Sequence, residues 1–226
     1  MQGANVRYRS EGRAVTTALE KPVHWRWWRD TFKLMCEWPL ALLLVLMLSP
    51  LLLIVAIAIR ATTGSPVIYR RRVVGRGGVE FDAFKFRTMV NGAERVLEQD
   101  ERLKNAFTVS YKLFADPRVT RTGRILRKYS LDELPQLFNV LRGEMALIGP
   151  RMISPPELPR YGSLAGKLLS VRPGLSGLWQ VSGRQTVSYA KRIELDVAYI
   201  DQCSLAIDLS ILLRTIPVVL TAEGAF

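Results

Sequence analysis

Histidine and cysteine are nearly missing from this sequence. The 226 residues include one histidine, His24, and two cysteines, Cys36 and Cys203. His24 lies outside every motif described below, which excludes a His-based catalytic triad and a His-rich metal site. The two cysteines have no metal-ligand spacing, so they predict a reduced, cytosolic environment rather than a disulfide framework.

Acidic residues are also scarce relative to basic ones. The sequence has 32 Lys and Arg against 20 Asp and Glu, a net charge of +12. This excess favours anionic partners: nucleic acid, anionic lipid headgroups or phosphorylated substrates. The hydrophobic share of 49% is high for a soluble protein and low for a polytopic membrane protein. The length predicts one domain, or one domain with an appendage.

One stretch, from Trp38 to Ile59, carries no charge at all. A helix of this length measures about 33 Å, enough for the ~30 Å hydrocarbon core of a bilayer. The polar leader over residues 1–37 is too long for a signal peptide. Ser49-Pro50 lies in the middle of the stretch. Pro50 cannot donate a hydrogen bond to the carbonyl of Leu46, and the Ser49 hydroxyl can bond a carbonyl freed in this way.

Both flanks of the apolar stretch are basic. The flanking cations are Arg26, Arg29 and Lys33 on one side and Arg60, Arg70, Arg71, Arg72 and Arg76 on the other. The positive-inside rule then keeps both ends in the cytoplasm. A re-entrant hairpin that turns at Ser49-Pro50 satisfies both observations. A spanning helix with a proline kink is the alternative, and the residues alone leave both open.

The segment before the apolar stretch predicts a membrane interface. Four tryptophans form the predicted aromatic belt: Trp25, Trp27, Trp28 and Trp38. Residues 1–22 are polar and unpatterned, which predicts a disordered tail. The expected organisation is therefore a tail over 1–22, an interfacial and re-entrant helix over 23–62, and a catalytic domain over 63–226.

Downstream of the membrane segment, two β-rich runs flank a glycine-rich turn and predict a small β-hairpin. In the second run, Phe84 and Phe86 face one side and Lys85 and Arg87 the other. Lys85 and Arg87 are either a solvated basic face or two phosphate contacts. Helices are predicted over 89–106, 123–128, 188–202 and 204–220. The apolar side of the last helix either packs into the core or lies on the bilayer.

The stretch from Ser130 to Arg151 combines two acids and a cation. Ser130-x-x-Glu133 fits a capping box, which is the purely structural interpretation. Pro135 favours Asp132 as the helix start instead, because the proline then falls in the first turn, where no N–H is needed. A carboxylate at a helix start stays ionised, and beside a second acid it can hold Mg²⁺ or attack phosphorus.

Motifs throughout the chain resemble those of the bacterial polyprenyl-phosphate sugar-1-phosphate transferases, also called monotopic phosphoglycosyl transferases. The resembling motifs are Ser49-Pro50, FKFRTM (84–89), DPRVTRTGRILRKYSLDELPQL (116–137), GEMALIGPR (143–151), RPGLSGLWQVSGR (172–184) and LDVAYI (195–200). They cover residues 30–220 in the family's order. The ending and the compact size are similar to succinoglycan-type galactose-phosphate transferases.

The resemblance implies a mostly helical α+β monotopic membrane protein, with a re-entrant helix-break-helix hairpin, interfacial amphipathic helices and a small β-hairpin. It implies a place on the cytoplasmic face of the bacterial inner membrane, among anionic phospholipids. The implied reaction transfers a hexose 1-phosphate from a UDP-sugar to undecaprenyl phosphate, releases UMP, requires Mg²⁺ and begins exopolysaccharide synthesis. Galactose is the first expectation for the sugar and glucose the second. The sequence leaves the oligomeric state open, with a homo-oligomer as one alternative.

The resemblance also assigns residues. Asp132 would attack the β-phosphate and form a phospho-sugar intermediate, while Glu133 would help to hold the metal or tune Asp132. The substrate and phosphate contacts would be Lys85, Arg87, Arg127, Arg151, Arg184 and Asp196. Met152 stands where the family commonly has proline, and Glu144 and Ala146 also depart from its usual motif. The alternatives are a non-catalytic basic membrane scaffold and, third, a nucleic-acid binder.

Overall fold

The computed structural model describes residues 26–110, 113, 116–222 and 224. The predicted tail and Trp25 lie outside these residues. The helices are α1 (Arg26–Thr63), α2 (Ala93–Gln99), α3 (Glu101–Ser110), α4 (Arg121–Lys128), α5 (Leu137–Leu141), α6 (Ala165–Leu168), α7 (Tyr189–Gln202) and α8 (Leu205–Thr221). The strands are β1 (Ile68–Val74), β2 (Glu80–Phe86), β3 (Ala146–Ile148) and β4 (Gly174–Ser176). The prediction of a mostly helical α+β protein is confirmed.

Helix α1 is long and apolar enough to cross a membrane, over Thr31–Thr63. The predicted role of Ser49 is confirmed: its hydroxyl donates to the Leu46 carbonyl at 2.8 Å, the carbonyl that Pro50 cannot bond. The predicted division into two helices is not confirmed, because α1 is assigned as one helix through Pro50. A local side-chain bond thus compensates for the missing N–H.

The surface of α1 is divided lengthwise into an exposed and a packed face. Within the apolar stretch after Trp38, the large exposed side chains are Leu43, Leu46, Met47, Leu53, Ile54 and Ile57. On the packed face, Ala41 belongs to the main core, while Val55 and Ile59 join a second cluster with Phe86 and Leu126. Both halves of α1 therefore contact the domain formed by the rest of the chain.

The predicted hairpin is confirmed. Strands β1 and β2 pair antiparallel from Ile68 opposite Phe86 to Val74 opposite Glu80. A short 3-10 turn, Arg76–Gly78, joins them, and Gly77 adopts a positive φ of 69° that favours glycine. Along β2, Phe81 and Ala83 are buried on the face that Lys85 continues, and Phe86 is buried on the opposite face.

A second, parallel pair of short strands carries the segment that ends at Arg151. Strand β3 is fully buried and pairs with β4, Ala146 opposite Gly174 and Ile148 opposite Ser176. A Cβ on Gly174 would lie 2.1 Å from the backbone nitrogen of Gly149, so these two turns approach each other only without side chains. The close approach fixes the backbone just before Arg151.

The other helix predictions hold with one correction. Helices α4, α7 and α8 match their predicted ranges to within two residues. The single helix predicted over 89–106 is two helices, α2 and α3. The chain breaks at Asp100, whose carboxylate accepts the N–H groups of Arg102 and Leu103 at 2.9 and 3.1 Å. A side chain that caps a new helix start interrupts the apolar pattern.

Candidate active site

The two adjacent acids lie in a 3-10 turn, Leu131–Gln136, between α4 and α5. The prediction that Asp132 caps a helix is wrong, because the turn already begins at Leu131, after Ser130 with a φ of 53°. A 3-10 turn bonds each N–H to the carbonyl three residues earlier, and here the N–H of Glu133 donates to the Ser130 carbonyl at 3.1 Å. The capping box is also absent here. The Ser130 hydroxyl accepts a hydrogen bond from Arg184, and the Glu133 carboxylate points to other partners.

Glu133 is held between two cations from distant parts of the chain. The Lys85 ammonium lies 2.6 Å from Oε1, and the Arg151 guanidinium donates to Oε1 and Oε2 at 2.5 and 3.1 Å. Burial alone would raise the pKa of Glu133, but the charges and hydrogen bonds of Arg151 and Lys85 hold it well below its usual range. Glu133 is therefore ionised, with both oxygens in use.

Asp132 has very different surroundings although it is the next residue. Its side chain is 8% exposed. Among the described residues, none donates a hydrogen bond to its carboxylate or forms an ion pair with it. Burial raises the pKa of Asp132 to about 6, with the charge of Lys85 opposing the rise and that of Glu133 adding to it. Asp132 is thus a carboxylate whose oxygens are available to a ligand.

The structure brings most of the predicted contact residues to this place. Burial lowers the pKa of Arg127 and the charge of Asp132 opposes this fall, while the Arg127 Nε donates to the Thr88 hydroxyl at 2.9 Å. Arg184 bonds Ser130 directly before the turn. Asp196 is fully buried and accepts the backbone N–H of Arg151 at 3.3 Å. Asp196 therefore contacts the backbone of a site residue rather than an open space.

Arg87 is the predicted contact that lies elsewhere. Its guanidinium donates to the carbonyls of Thr63, Gly64 and Ser65, each at 2.7 Å. It also bonds the side chain of Asn91. Strand β2 ends at Phe86, so the alternation that placed Lys85 and Arg87 on one face does not continue to Arg87. Arg87 binds the C-terminal end of α1, where carbonyls have no helical partner.

Several residues at the site were not predicted from the sequence. Arg71 donates to Glu157 and to the Ser154 hydroxyl, at 2.8 and 2.7 Å. The Arg192 guanidinium lies 5.0 Å from the Trp179 ring centre, and Arg151 lies 5.6 Å from the same ring. Arg71 was counted only as a membrane flank. Arg192 is on a helix more than forty residues from Arg151. No local signal in the sequence indicates that both guanidinium groups lie against the Trp179 ring.

The departures from the family motif are accommodated in the fold. Met152 is 2% exposed and belongs to the main core, so it packs where a proline was expected. Glu144 accepts a hydrogen bond from the Asn139 amide at 2.7 Å. The side-chain oxygen of Asn139, Oδ1, accepts the backbone N–H of Phe84 at 2.9 Å. This bond ties β2 to α5 beneath the acidic pair.

A magnesium ion is compatible with these residues only in company with a substrate. Within the described ranges, no group of three or more His, Cys, Asp or Glu side chains could hold a metal alone. Mg²⁺ usually binds one or two carboxylates together with waters and substrate phosphates. Asp132 offers such a carboxylate, whereas the oxygens of Glu133 are bonded to Lys85 and Arg151.

The geometry is that of an enzyme site for phosphate chemistry: an available carboxylate beside several fixed cations. The comparisons agree. A family model described as bacterial sugar transferase matches residues 28–222, and the chain belongs to that family. It is therefore an enzyme, which favours the catalytic interpretation over the scaffold and the nucleic-acid binder.

Relatives in several bacteria support the assignment. The chain is 44% identical over 191 residues to "Exopolysaccharide production protein ExoY" of Sinorhizobium fredii, covering 83% of this chain and 84% of that one. It is 40% identical over 205 residues to "Undecaprenyl-phosphate galactose phosphotransferase" of Salmonella typhimurium, covering 89% and 42%. It is 40% identical over 194 residues to "UDP-glucose:undecaprenyl-phosphate glucose-1-phosphate transferase" of Caulobacter vibrioides, covering 82% and 68%.

Proposed function

We propose that this protein transfers a hexose 1-phosphate from a UDP-sugar to undecaprenyl phosphate in exopolysaccharide synthesis. The observation that carries the proposal is the contrast between Asp132, buried with no bonding partner among the described residues, and Glu133, held by Lys85 and Arg151. A nucleophile needs an oxygen that is available to attack. A residue that holds cations in place for a phosphate needs oxygens that are bonded to those cations. The family and the names of the three relatives supply the substrate class.

The reaction proceeds in two displacements at phosphorus. An oxygen of Asp132 attacks the β-phosphorus of the donor, an acyl phosphate bond forms, and the bond to the bridging oxygen breaks so that UMP leaves with the electron pair. A phosphate oxygen of the lipid then attacks the same phosphorus, and the Asp132 carboxylate is released. Lys85, Arg127 and Arg151 offset the negative charge of the phosphates in both steps.

Asp132 and Glu133 are the residues that we propose for Mg²⁺. Asp132 is the better ligand because no side chain in the described part of the chain bonds its carboxylate. The ion supplies charge neutralisation at the leaving phosphate. For the sugar, galactose is our first proposal and glucose the second. Relatives named for galactose are 40% to 44% identical to this chain, and one named for glucose is 40% identical.

We further propose that α1 is re-entrant and that both of its ends face the cytoplasm. Near its start, Lys33 bonds Asp208 of α8 at 2.5 Å, and at its end the Thr63 carbonyl bonds Arg87. A helix that crossed the bilayer once would hold these ends on opposite sides, yet both contact the same domain. The exposed apolar residues of α8, such as Leu209 and Leu213, support its place at the interface.

The decisive experiment measures UMP release from a panel of UDP-sugars, with undecaprenyl phosphate and Mg²⁺. We expect one hexose donor to give UMP, and we expect the protein to retain labelled phospho-sugar when the lipid is omitted. Asp132→Asn should abolish both. Asp201→Asn, the same change at an exposed aspartate that pairs with Lys167, is the matched control. Normal turnover by Asp132→Asn would exclude the mechanism.

Topology is tested separately by cysteine labelling. In a background with Cys36→Ser and Cys203→Ser, single cysteines from Thr31→Cys and Ser65→Cys flank the apolar stretch of α1. We expect a membrane-impermeant reagent to label both only from the cytoplasmic side. Labelling of the two positions from opposite sides would show a spanning helix and contradict the hairpin.

A further inference from the structure

Strand β3 is bonded to a side chain of the membrane helix. Oε2 of Glu37 accepts the N–H of Leu147 at 2.9 Å, and Oε1 accepts the N–H of Ile148 at 3.2 Å. Both bonds are buried. From α7, the Tyr199 hydroxyl donates to the Ile148 carbonyl at 3.2 Å. The backbone of β3 is thus tied to α1 as well as to β4.

This connection continues directly to Arg151. After Ile148 come Gly149 and Pro150, and then Arg151. Pro150 has a fixed φ, and Gly149 lies against Gly174 with no room for a side chain. The N–H of Arg151 is held by Asp196. A displacement of β3 therefore moves the guanidinium that bonds Glu133, since the intervening turn has little freedom to absorb it.

The C-terminal end of α1 is connected in a similar way to Lys85, the second cation that bonds Glu133. Arg87 binds the carbonyls of Thr63, Gly64 and Ser65 with one guanidinium. Lys85 stands two residues earlier on β2, and Phe86 between them packs against Ile59 of α1. The end of α1 is therefore joined to β2, the strand that carries Lys85, through the two residues that follow this lysine, Phe86 and Arg87.

We propose that α1 positions the two cations of the site, with Glu37 positioning Arg151 through β3 and Arg87 positioning Lys85 through β2. Neither Glu37 nor Arg87 touches the reacting atoms. The membrane helix then has a second task besides anchoring: it is the common frame on which the cation pair around Glu133 is assembled. The activity readouts below rest on the proposed function, whereas the exchange readout does not.

The test compares Glu37→Ala, Glu37→Gln and Glu37→Asp in the full chain, purified in lipid nanodiscs. Glu37→Ala should lower kcat for UMP release on the order of 10²-fold, the cost of misplacing a catalytic group by about 1 Å. The KM for undecaprenyl phosphate should be unchanged. Glu37→Asp keeps both oxygens and should retain most activity. Glu37→Gln turns an NH₂ group toward one backbone N–H and should behave nearly as Glu37→Ala.

Two variants separate positioning from general damage to α1. Met35→Ala changes an exposed residue, 69% accessible, on the same helix and should leave kcat unchanged. Asp208→Asn weakens the pairing of Lys33 with α8 but leaves the bonds of Glu37 to β3 in place. We expect Asp208→Asn to lower thermal stability with little change in kcat. An equal loss of kcat in Asp208→Asn and Glu37→Ala would overturn the proposal.

Hydrogen–deuterium exchange gives a readout that needs no substrate. Glu37→Ala should speed exchange in the peptide over 144–151 and leave that of α4 unchanged. Faster exchange throughout the protein, or an unchanged exchange rate in 144–151, would contradict the positioning role of Glu37. If the wild-type protein releases no UMP from any donor, the proposed function fails, and the exchange experiment still decides whether Glu37 holds β3.

Arg87 is tested by its conservative replacement. Arg87→Lys keeps the charge but loses the planar fork that reaches three carbonyls. If Arg87 is a positioning residue, Arg87→Lys should lower kcat and speed exchange over 80–87. A phosphate contact would be largely preserved by lysine, so unchanged kcat with Arg87→Lys and a raised donor KM with Arg87→Gln would overturn this part of the proposal.

Discussion

Two largely buried carboxylates in this protein, Glu133 and Glu37, differ in the kind of donor that holds them. Glu133 bonds the charged side chains of Lys85 and Arg151. Glu37 bonds two backbone N–H groups of β3, at 2.9 and 3.2 Å, and the Lys33 ammonium lies farther from it, at 3.4 Å. Side-chain cations can turn from a carboxylate to an incoming phosphate, whereas backbone groups of a strand cannot. The first arrangement suits a site that exchanges partners and the second suits a site that fixes geometry.

The comparison is tested most strongly at Asp132, whose carboxylate has no hydrogen-bond donor within the described ranges. We expect Asp132→Asn to lower UMP release by at least about 10³-fold, since the nucleophile is lost. The melting temperature should not fall, because no hydrogen bond is removed and a buried charge is neutralised. Kinetics and thermal unfolding on the same preparation check both parts. A large loss of stability would place Asp132 with the structural carboxylates.

Glu133→Gln is the next largest expected effect. The amide keeps the shape but leaves Lys85 and Arg151 without their shared counter-charge. We expect kcat to fall on the order of 10²-fold because the two cations separate. Stability should fall by about 1–3 kcal/mol, the cost of unmade bonds to buried groups. Activity and denaturant unfolding measure the two effects, and Glu194→Gln at an exposed position is the control. A stability loss without an activity loss would show that Glu133 stabilises the fold but does not position the two cations for the reaction.

Tyr199→Phe probes the surroundings of Glu37 without touching its bonds to β3. The hydroxyl contacts Lys33, Asp208 and the Ile148 carbonyl. Its removal should cost about 1–3 kcal/mol. For a chain of this size, each kcal/mol corresponds to roughly 2–4 °C in the melting temperature. We expect little change in kcat because Glu37 remains. A large loss of activity at unchanged stability would show that the surroundings of Glu37 act on the reaction as directly as those of Glu133.

Ser49→Ala should have the smallest effect. It removes the hydroxyl that bonds the Leu46 carbonyl beside Pro50. We expect a loss of about 0.5–1.5 kcal/mol and no change in donor or acceptor kinetics. Ser210→Ala, at an exposed serine of α8, serves as the reference for a lost hydroxyl. An activity loss larger than that of Tyr199→Phe would mean that the middle of α1, and not only its ends, acts on the site.

Local patterns were sufficient to predict much of the fold. The alternation of β2, the glycine turn before it and the periodicity of α7 and α8 each depend on neighbouring residues, and the structure confirms them. The start of the turn at Asp132 was wrong because the pattern assumed an α-helix. A 3-10 turn begins with a bond to the third residue back and so starts at Leu131.

The site was predicted in part, and the missing parts have a common cause. Asp132 and Glu133 are adjacent, and motif resemblance pointed to Lys85 and Arg151. The role of Glu37 was missed because its partners, Leu147 and Ile148, are more than a hundred residues away and contribute only backbone. Arg87 looked equivalent to Lys85 by spacing, but the strand ends between them. Neither contact leaves a trace in local sequence.

The carboxylate of Glu37 and the carbonyls at the end of α1 have a practical consequence for engineering. A water-soluble form of this enzyme cannot be obtained by deleting the apolar helix, because the deletion also removes the partners of β3 and of Arg87. The alternative is to redesign the outer face. The residues to replace with polar ones are Leu43, Leu46, Met47, Leu53, Ile54 and Ile57, all exposed. Such a variant would keep every contact of the helix with the domain and dispense only with the lipid.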